Sequence, residues 1–363
     1  MHNQGLARRR LLRSSARLAG GALISSAVAA AATTARAESS SKKVIVRALG
    51  GAYEDAERRA IYHPFTKATG IEVVPVPSTE TQVLAMVRSG SVQLDVLDLG
   101  ESGSILLDRA KALAPIDYTR FKLTDPNDLD AAIRRPNMVG NIYFATVLGY
   151  STKHFGATHP KSWAEFWDVH AFPGPRSLEG IDSGDVPLEF ALLAAGVPVE
   201  KLYPIHVNRA FQSLNHIKKH IVKWWSTGAE SAELLESGQV VAMDIWNGRI
   251  QGPIDQGGPF AIEWNQAMRL KQFWSIVRGA PNSENALRFI DFALQPQVQA
   301  ELARYIPYGP TNKQAFRYIT KADAAKLVSS PKHFKISFDE DAYWWADHLH
   351  EVTAQWETWL LRG

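Results

Sequence analysis

Between Val44 and Ala110 the chain alternates short apolar runs with amphipathic ones, and this alternation restricts its fold more than any other feature. Val44–Leu49 reads as a strand. Gly50-Gly51 follows, and a helix is expected from about Tyr53, with Glu54, Asp55 and Glu57 in or near its first turn, where the helix dipole favours acids. Thr69-Gly70 ends that helix and Ile71–Val76 is a second strand. Gln82–Arg88 is helical up to Ser89-Gly90; Leu94–Leu99 is a third strand, Gly100-Glu101-Ser102 its closing turn, and Ser104–Ala110 a further helix. A β-α-β-α-β order of this kind predicts a parallel sheet with helices on both faces.

A second α/β unit is expected over roughly 150–273. Asn141–Gly149 is an apolar strand leading into it. Ser162 with Glu165 three residues later has the pattern of a capping box. Leu188–Ala195, Val207–His220 and Ala229–Ser237 read as helices, and Ile221–Trp225 as a strand. The stretch VVAMDIWNGRI, Val240–Ile250, reads as a buried strand running through Asp244 to Ile245, then a turn signalled by Asn247-Gly248. Trp246, Asn247 and Arg249 are thereby expected at the C-terminal end of a strand, where open α/β sheets bind ligands. Phe273–Val277 can return the chain to the first unit; Asn285–Phe292 is helical, Pro296 opens another helix, Pro307–Pro310 is a rigid loop, and Asp341–Leu361 is a helix carrying Trp344, Trp345, Trp356 and Trp359.

The formal charge of +3 misrepresents the bulk of the chain. Residues 1–37 hold six arginines and no Asp, Glu or Lys, so the remainder carries 34 basic against 37 acidic side chains, about −3. Nucleic-acid binding loses its compositional support and is not expected. Arg8-Arg9-Arg10-Leu11-Leu12-Arg13 resembles a twin-arginine export signal; Leu18–Ala32 is mildly apolar and Ala35-Arg36-Ala37 fits a cleavage site. A cleaved leader ending near Ala37 and a periplasmic location are expected. The chain has no cysteine, which excludes disulfides, thiolate sites and a lipidated cysteine.

Catalytic signatures such as G-x-S-x-G, H-E-x-x-H, the P-loop and G-x-G-x-x-G are absent, and no enzyme is expected. His216 and His220 share a helix face beside Lys218, Lys219 and Lys223, which oppose a cation; neither metal nor cofactor is expected. The remaining candidates for chemistry are aromatic and polar residues near strand ends. Gly51 and Tyr53 open one helix, Glu101 and Ser102 another, and exposed N–H groups at such places suit an anion. Asp185 and Glu189 precede and begin the Leu188 helix; Trp225 ends one strand, and Asp244 lies near the end of another that leads to Trp246, Asn247 and Arg249.

Behind the twin-arginine leader, GGAYEDA, SWAEFWD, FPGPRSLEG, HIVKWW, IWNGR, IEWNQA and YIPYGPTN occur in that order. The set resembles the periplasmic substrate-binding proteins of ABC transporters, in the branch related to spermidine/putrescine-binding proteins, over essentially all of the chain after the leader. The resemblance implies an α/β, two-lobed periplasmic-binding-protein fold of type II, each lobe a mainly parallel sheet flanked by helices, joined by two crossing segments, with ligand trapped by hinge closure. It places lobe one at 38–149 plus 274–319 and lobe two at 150–273 plus 320–363. It also implies a small-molecule ligand, delivery to an inner-membrane ABC permease, and a monomer. Tyr53, Trp246 and Tyr308 match the family's ligand-packing aromatics. The acids depart from the pattern: Ala52 and Trp274 stand where polyamine binders carry carboxylates, and Arg249 adds a cation. A diamine or polyamine and an ω-amino acid such as 4-aminobutyrate both stay open as ligands. A ligand-sensing partner of a receptor is the alternative role.

Overall fold

The computed structural model describes residues 42–362, so the leader and its cleavage site lie outside the described residues. Lobe one is built on β1 (Lys43–Arg47), whose Val44 and Val46 are fully buried. It pairs in parallel with β2 (Glu72–Val76) and with β3 (Val96–Gly100), and the short β4 (Leu113–Ala114) lies nearby. Helices Gly51–Glu57, Glu80–Ser89 and Glu101–Arg109 connect them, close to the expected positions. Their ends follow local chemistry: Thr79 caps the second with a full capping box, and Gly70 and Gly90 take left-handed conformations at C-termini.

The centre of the sheet departs from a purely parallel reading. β5 (Met138–Ser151) and a later strand, β9 (Phe260–Val277), are long and antiparallel to each other. β3 pairs antiparallel with β9, and β5 pairs antiparallel with β8 (Ala242–Trp246), which lies parallel to β6 (Arg176–Glu179); β7 (Ile221–Trp225) lies parallel to β6 on its other side. The order is β2-β1-β3-β9-β5-β8-β6-β7. Two parallel trios are therefore joined through β5 and β9, the two crossing segments of a two-lobed fold. The sequence pointed to the end of β9 at Phe273–Val277 but not to its first half, FAIEWNQAMRLKQ, which lacks a clean alternation. Gln266 there has φ 60 and interrupts the ladder, and its side chain and carbonyl accept bonds from the backbone N and indole Nε1 of Trp163.

Asn247-Gly248 is the other departure. It opens a helix, Asn247–Asp255, instead of a turn. The Asn247 amide accepts from Ala145 N at 2.9 Å and donates to Pro307 O at 2.8 Å. Gly248 is required by close approach: a Cβ there would lie 2.5 Å from the Tyr308 ring.

Val46, Phe65, Trp274 and Phe289 pack in the main core of lobe one, and Trp163, Phe190, Trp345 and Trp356 in that of lobe two. The C-terminal helix Ala342–Leu361 touches both. Its tryptophans enter the lobe-two core, whereas Ala342 and Ala346 pack with Ile105, Met138 and Phe273.

Candidate ligand-binding site

The ends of β1, β3, β6 and β8 and the middle of β9 converge on a cavity of about 170 Å³. One wall is aromatic. Tyr53 meets Tyr308 at 5.5 Å between ring centroids, Tyr308 meets Phe144 at 5.5 Å, and Phe144 meets Trp246 edge-on at 6.0 Å. Trp246 in turn rests on Trp225 at 5.4 Å. The Tyr53 hydroxyl is turned into the lobe: it accepts from Asn141 Nδ2 at 2.9 Å and lies near the Asp98 carboxylate; burial, then that carboxylate, raises its pKa. Tyr53 therefore offers the cavity its ring. Burial pushes Asp98 up to about 6, while Tyr53, Arg47, Glu57 and Asn141 hold it back. Burial, then Asp98, pushes neighbouring Glu57 well above the usual carboxylate range.

Arg249 supplies the positive end. It is 7% exposed, forms no ion pair among the described residues, and its Nε has no hydrogen-bond partner. Its charge reaches the Tyr308 hydroxyl and opposes the upward push of burial there. Two glycines make room for the guanidinium: a Cβ at Gly51 would sit 2.9 Å from its Nη1, and one at Gly228 would sit 2.6 Å from its Nε. Gly51 is thus behind Arg249, at φ +60, a backbone position glycine tolerates without strain. Arg47 also lines the cavity, but its Nε and Nη1 are held by Ser78 O and Asp98 O.

The same cavity gathers acids from three places in the chain. Glu179 ends β6, Asp185 follows in the loop, and Glu340 precedes the C-terminal helix. None forms an ion pair among the described residues. Ser183 donates to Glu179 at 2.7 Å, Val186 N donates to Asp185 at 2.7 Å, and Asp185 and Glu340 are near enough to shift each other's ionisation. Burial raises all three; Asp244 adds to the effect on Glu179 and Glu340 to that on Asp185. Glu340 reaches about 8, through burial and then Glu189 and Glu101, with Lys271 opposing. Carboxyls this crowded hold their protons to higher pH than free ones do.

Glu101 is different. Lys271 Nζ lies 3.0 Å from its Oε2, and Arg135 pairs with its Oε1. Among the expected residues Tyr53, Glu101, Ser102, Asp185, Trp246, Arg249 and Tyr308 line the cavity. Glu189, Trp225, Asp244 and Asn247 sit behind its wall. Glu189 accepts from Tyr203 OH at 2.5 Å and Trp345 Nε1 at 2.7 Å. Asp244 accepts from Trp225 Nε1 at 2.7 Å and from Glu179 N at 3.0 Å. Asn247 is spent on Ala145 and Pro307.

Sequence reasoning passed over Glu179, Glu340, Lys271, Gln272, Phe144, Arg47 and Glu80. Glu179 had a slight signal, a carboxylate directly before Gly180. Glu340 had none, since only the pairing of Phe338–Asp339 with β9 brings it to the cavity. On the returning strand the lining residues are Leu270, Lys271 and Gln272, while Trp274 is buried in lobe one. No group of His, Cys, Asp or Glu among the described residues is arranged to hold a metal ion.

Residues 60–334 match the family model of bacterial extracellular solute-binding proteins. The chain belongs to that family. This solute-binding protein is 34% identical over 330 residues to the gamma-aminobutyric acid-binding protein of Pseudomonas aeruginosa, covering 87% of this chain and 90% of that one. It is 25% identical over 309 residues to the spermidine/putrescine-binding periplasmic protein of Salmonella typhimurium, covering 82% and 86%. A crystal structure of an ABC transporter substrate-binding protein from Bradyrhizobium japonicum superposes with a TM-score of 0.81 at 34% identity, covering 88% of this chain and 99% of that one. Both cavity chemistry and kinship describe a protein that holds a small solute.

Proposed function

We propose that this solute-binding protein is the periplasmic capture component of an ABC transporter and that its solute is a zwitterionic ω-amino acid of the 4-aminobutyrate type. One observation carries the reading: a single cavity is lined by a buried guanidinium without an acidic partner among the described residues and by four carboxylates, Glu80, Glu179, Asp185 and Glu340, without a cationic one. A carboxylate satisfies the first and an ammonium the second, with charge-assisted hydrogen bonds at both ends. The aromatic wall then packs on the methylenes between them. A diamine would set an ammonium against Arg249. The Pseudomonas aeruginosa relative supports the same ligand class, and the relative from Bradyrhizobium japonicum supports the transport role.

The cavity is formed within one chain, which supports action as a monomer. The arginine-rich leader with Ala35-Arg36-Ala37 supports export and cleavage before delivery to an inner-membrane permease. Calorimetric titration of the chain from Glu38 onward with 4-aminobutyrate and putrescine tests the proposal. 4-Aminobutyrate is expected to bind at least about tenfold more tightly, a difference of about 1.4 kcal/mol. The reverse order overturns the ligand class.

A further inference from the structure

Glu101 is the cavity carboxylate that cations have already claimed. It is 6% exposed, and both its oxygens are occupied, one by Arg135 and the other by Lys271 Nζ at 3.0 Å. Arg135 is itself fixed, with its guanidinium over the Phe273 and Tyr343 rings at 4.9 and 5.4 Å. Lys271 comes from β9, the returning crossing strand, and lines the cavity together with Glu101. Its charge also reaches across to Glu340 and eases that residue's ionisation. Lys271 thus stands between the acid of the Glu101 helix and the acids on the other side.

We propose that Lys271 is a resident ammonium that occupies the place of a second ligand amine, so that this residue sets the preference for a monoamine over a diamine. A diamine anchored at Glu179, Asp185 and Glu340 and extending toward Glu101 meets a fixed positive charge. Like charges held together in a site shielded from water repel far more strongly than in solution. With Lys271 neutral, Glu101 keeps Arg135 alone, and its second oxygen is left for a solute cation. The inference takes its monoamine ligand from the zwitterion reading above, but its test does not depend on that ligand.

The test compares wild type with Lys271→Met, Lys271→Gln and Lys271→Arg, using calorimetry and thermal shift with putrescine and with 4-aminobutyrate. The two neutral variants are expected to gain putrescine affinity by about tenfold or more relative to wild type, the size of effect that a close charge pair produces. The putrescine-induced rise in melting temperature should be larger than in wild type. Lys271→Arg keeps the charge and should reject putrescine as wild type does. It also carries the test if the neutral variants do not fold. Equal putrescine affinity in wild type and the neutral variants, or putrescine binding gained by Lys271→Arg, overturns the inference. Failure of 4-aminobutyrate to bind wild type overturns the ligand reading and leaves the putrescine comparison intact.

Discussion

The two charged sides of the cavity are built in opposite ways. Arg249 is a single permanent cation, set against two glycines and near the Tyr308 hydroxyl. The acidic side is a crowd, in which Glu179, Asp185 and Glu340 face the cavity and Asp244 and Glu189 stand behind them. A guanidinium cannot shed its charge, so Arg249 is always ready for a carboxylate. The carboxyls can: burial and their mutual proximity raise their pKa values, and an arriving ammonium favours the ionised form. One side is a fixed anchor and the other adapts.

Removing the anchor should therefore have the largest effect. Arg249→Met is expected to weaken 4-aminobutyrate binding by about 1.5–3 kcal/mol or more, the value of a charge-assisted bond lost from a buried site. The same change should leave putrescine binding equal or tighter, because a like charge has gone. Titration of both ligands into the variant decides it: an equal loss for both would mean that Arg249 supports the wall without meeting a carboxylate.

The wall between the two sides comes next. Trp246 is half-buried and packs edge-on to Phe144 and Trp225. Trp246→Ala should cost about 1–3 kcal/mol of affinity for a ligand of either class, through lost apolar contact and any cation–π attraction. Unchanged affinity would move the ligand away from the indole.

This contrast also marks what the sequence made legible. Trp246 and Arg249 were readable because they follow a strand whose apolar run stops abruptly, and Tyr53 because it follows a strand and a glycine pair. The strands of both parallel trios were readable for the same reason. The acidic side was less so, because its residues lie far apart in the chain and meet only when β9 and the Phe338–Asp339 bridge are in place. Glu189 and Asp244 were named for being acids near ends of elements. Sequence cannot tell which neighbour a carboxylate faces, and here Trp345, Tyr203 and Trp225 hold them behind the wall.

The adaptable side predicts a pH dependence. Glu340 is pushed up to about 8, Asp244 to about 7 and Asp98 to about 6. Across the window from about pH 4.5 to 8 the folded protein holds protons that the unfolded chain has released. Unliganded stability should be greatest at the acid end of that window and fall steadily as pH rises through it, with the contribution of half-buried Glu340 reduced by solvent screening. Ligand reverses the trend, since a bound ammonium favours the ionised carboxyls. The ligand-induced rise in melting temperature should be larger at pH 8 than at pH 5.5. Stability without ligand that climbs over this range would contradict the acidic crowd.

The smallest effect is expected at Glu189, and its sign is informative. Glu189 Oε1 takes both hydrogen bonds, from Tyr203 and Trp345, while Oε2 is buried without a partner. Glutamine at this position keeps an oxygen for both donors and puts an amide where the unpartnered oxygen was. The fold should tolerate Glu189→Gln with little loss. The charge of Glu189 also helps to hold Asp185 and Glu340 above the usual carboxylate range. Removing it lets those two ionise at lower pH, which favours an incoming ammonium. Affinity for 4-aminobutyrate near pH 7 should be unchanged or tighter by less than about 0.5 kcal/mol, the scale of an indirect charge effect. A carboxylate that met the amine directly would give the opposite result, a loss of about 1.5–3 kcal/mol. Calorimetry on this single variant therefore separates an acid that holds the ligand from one that tunes the acids that do.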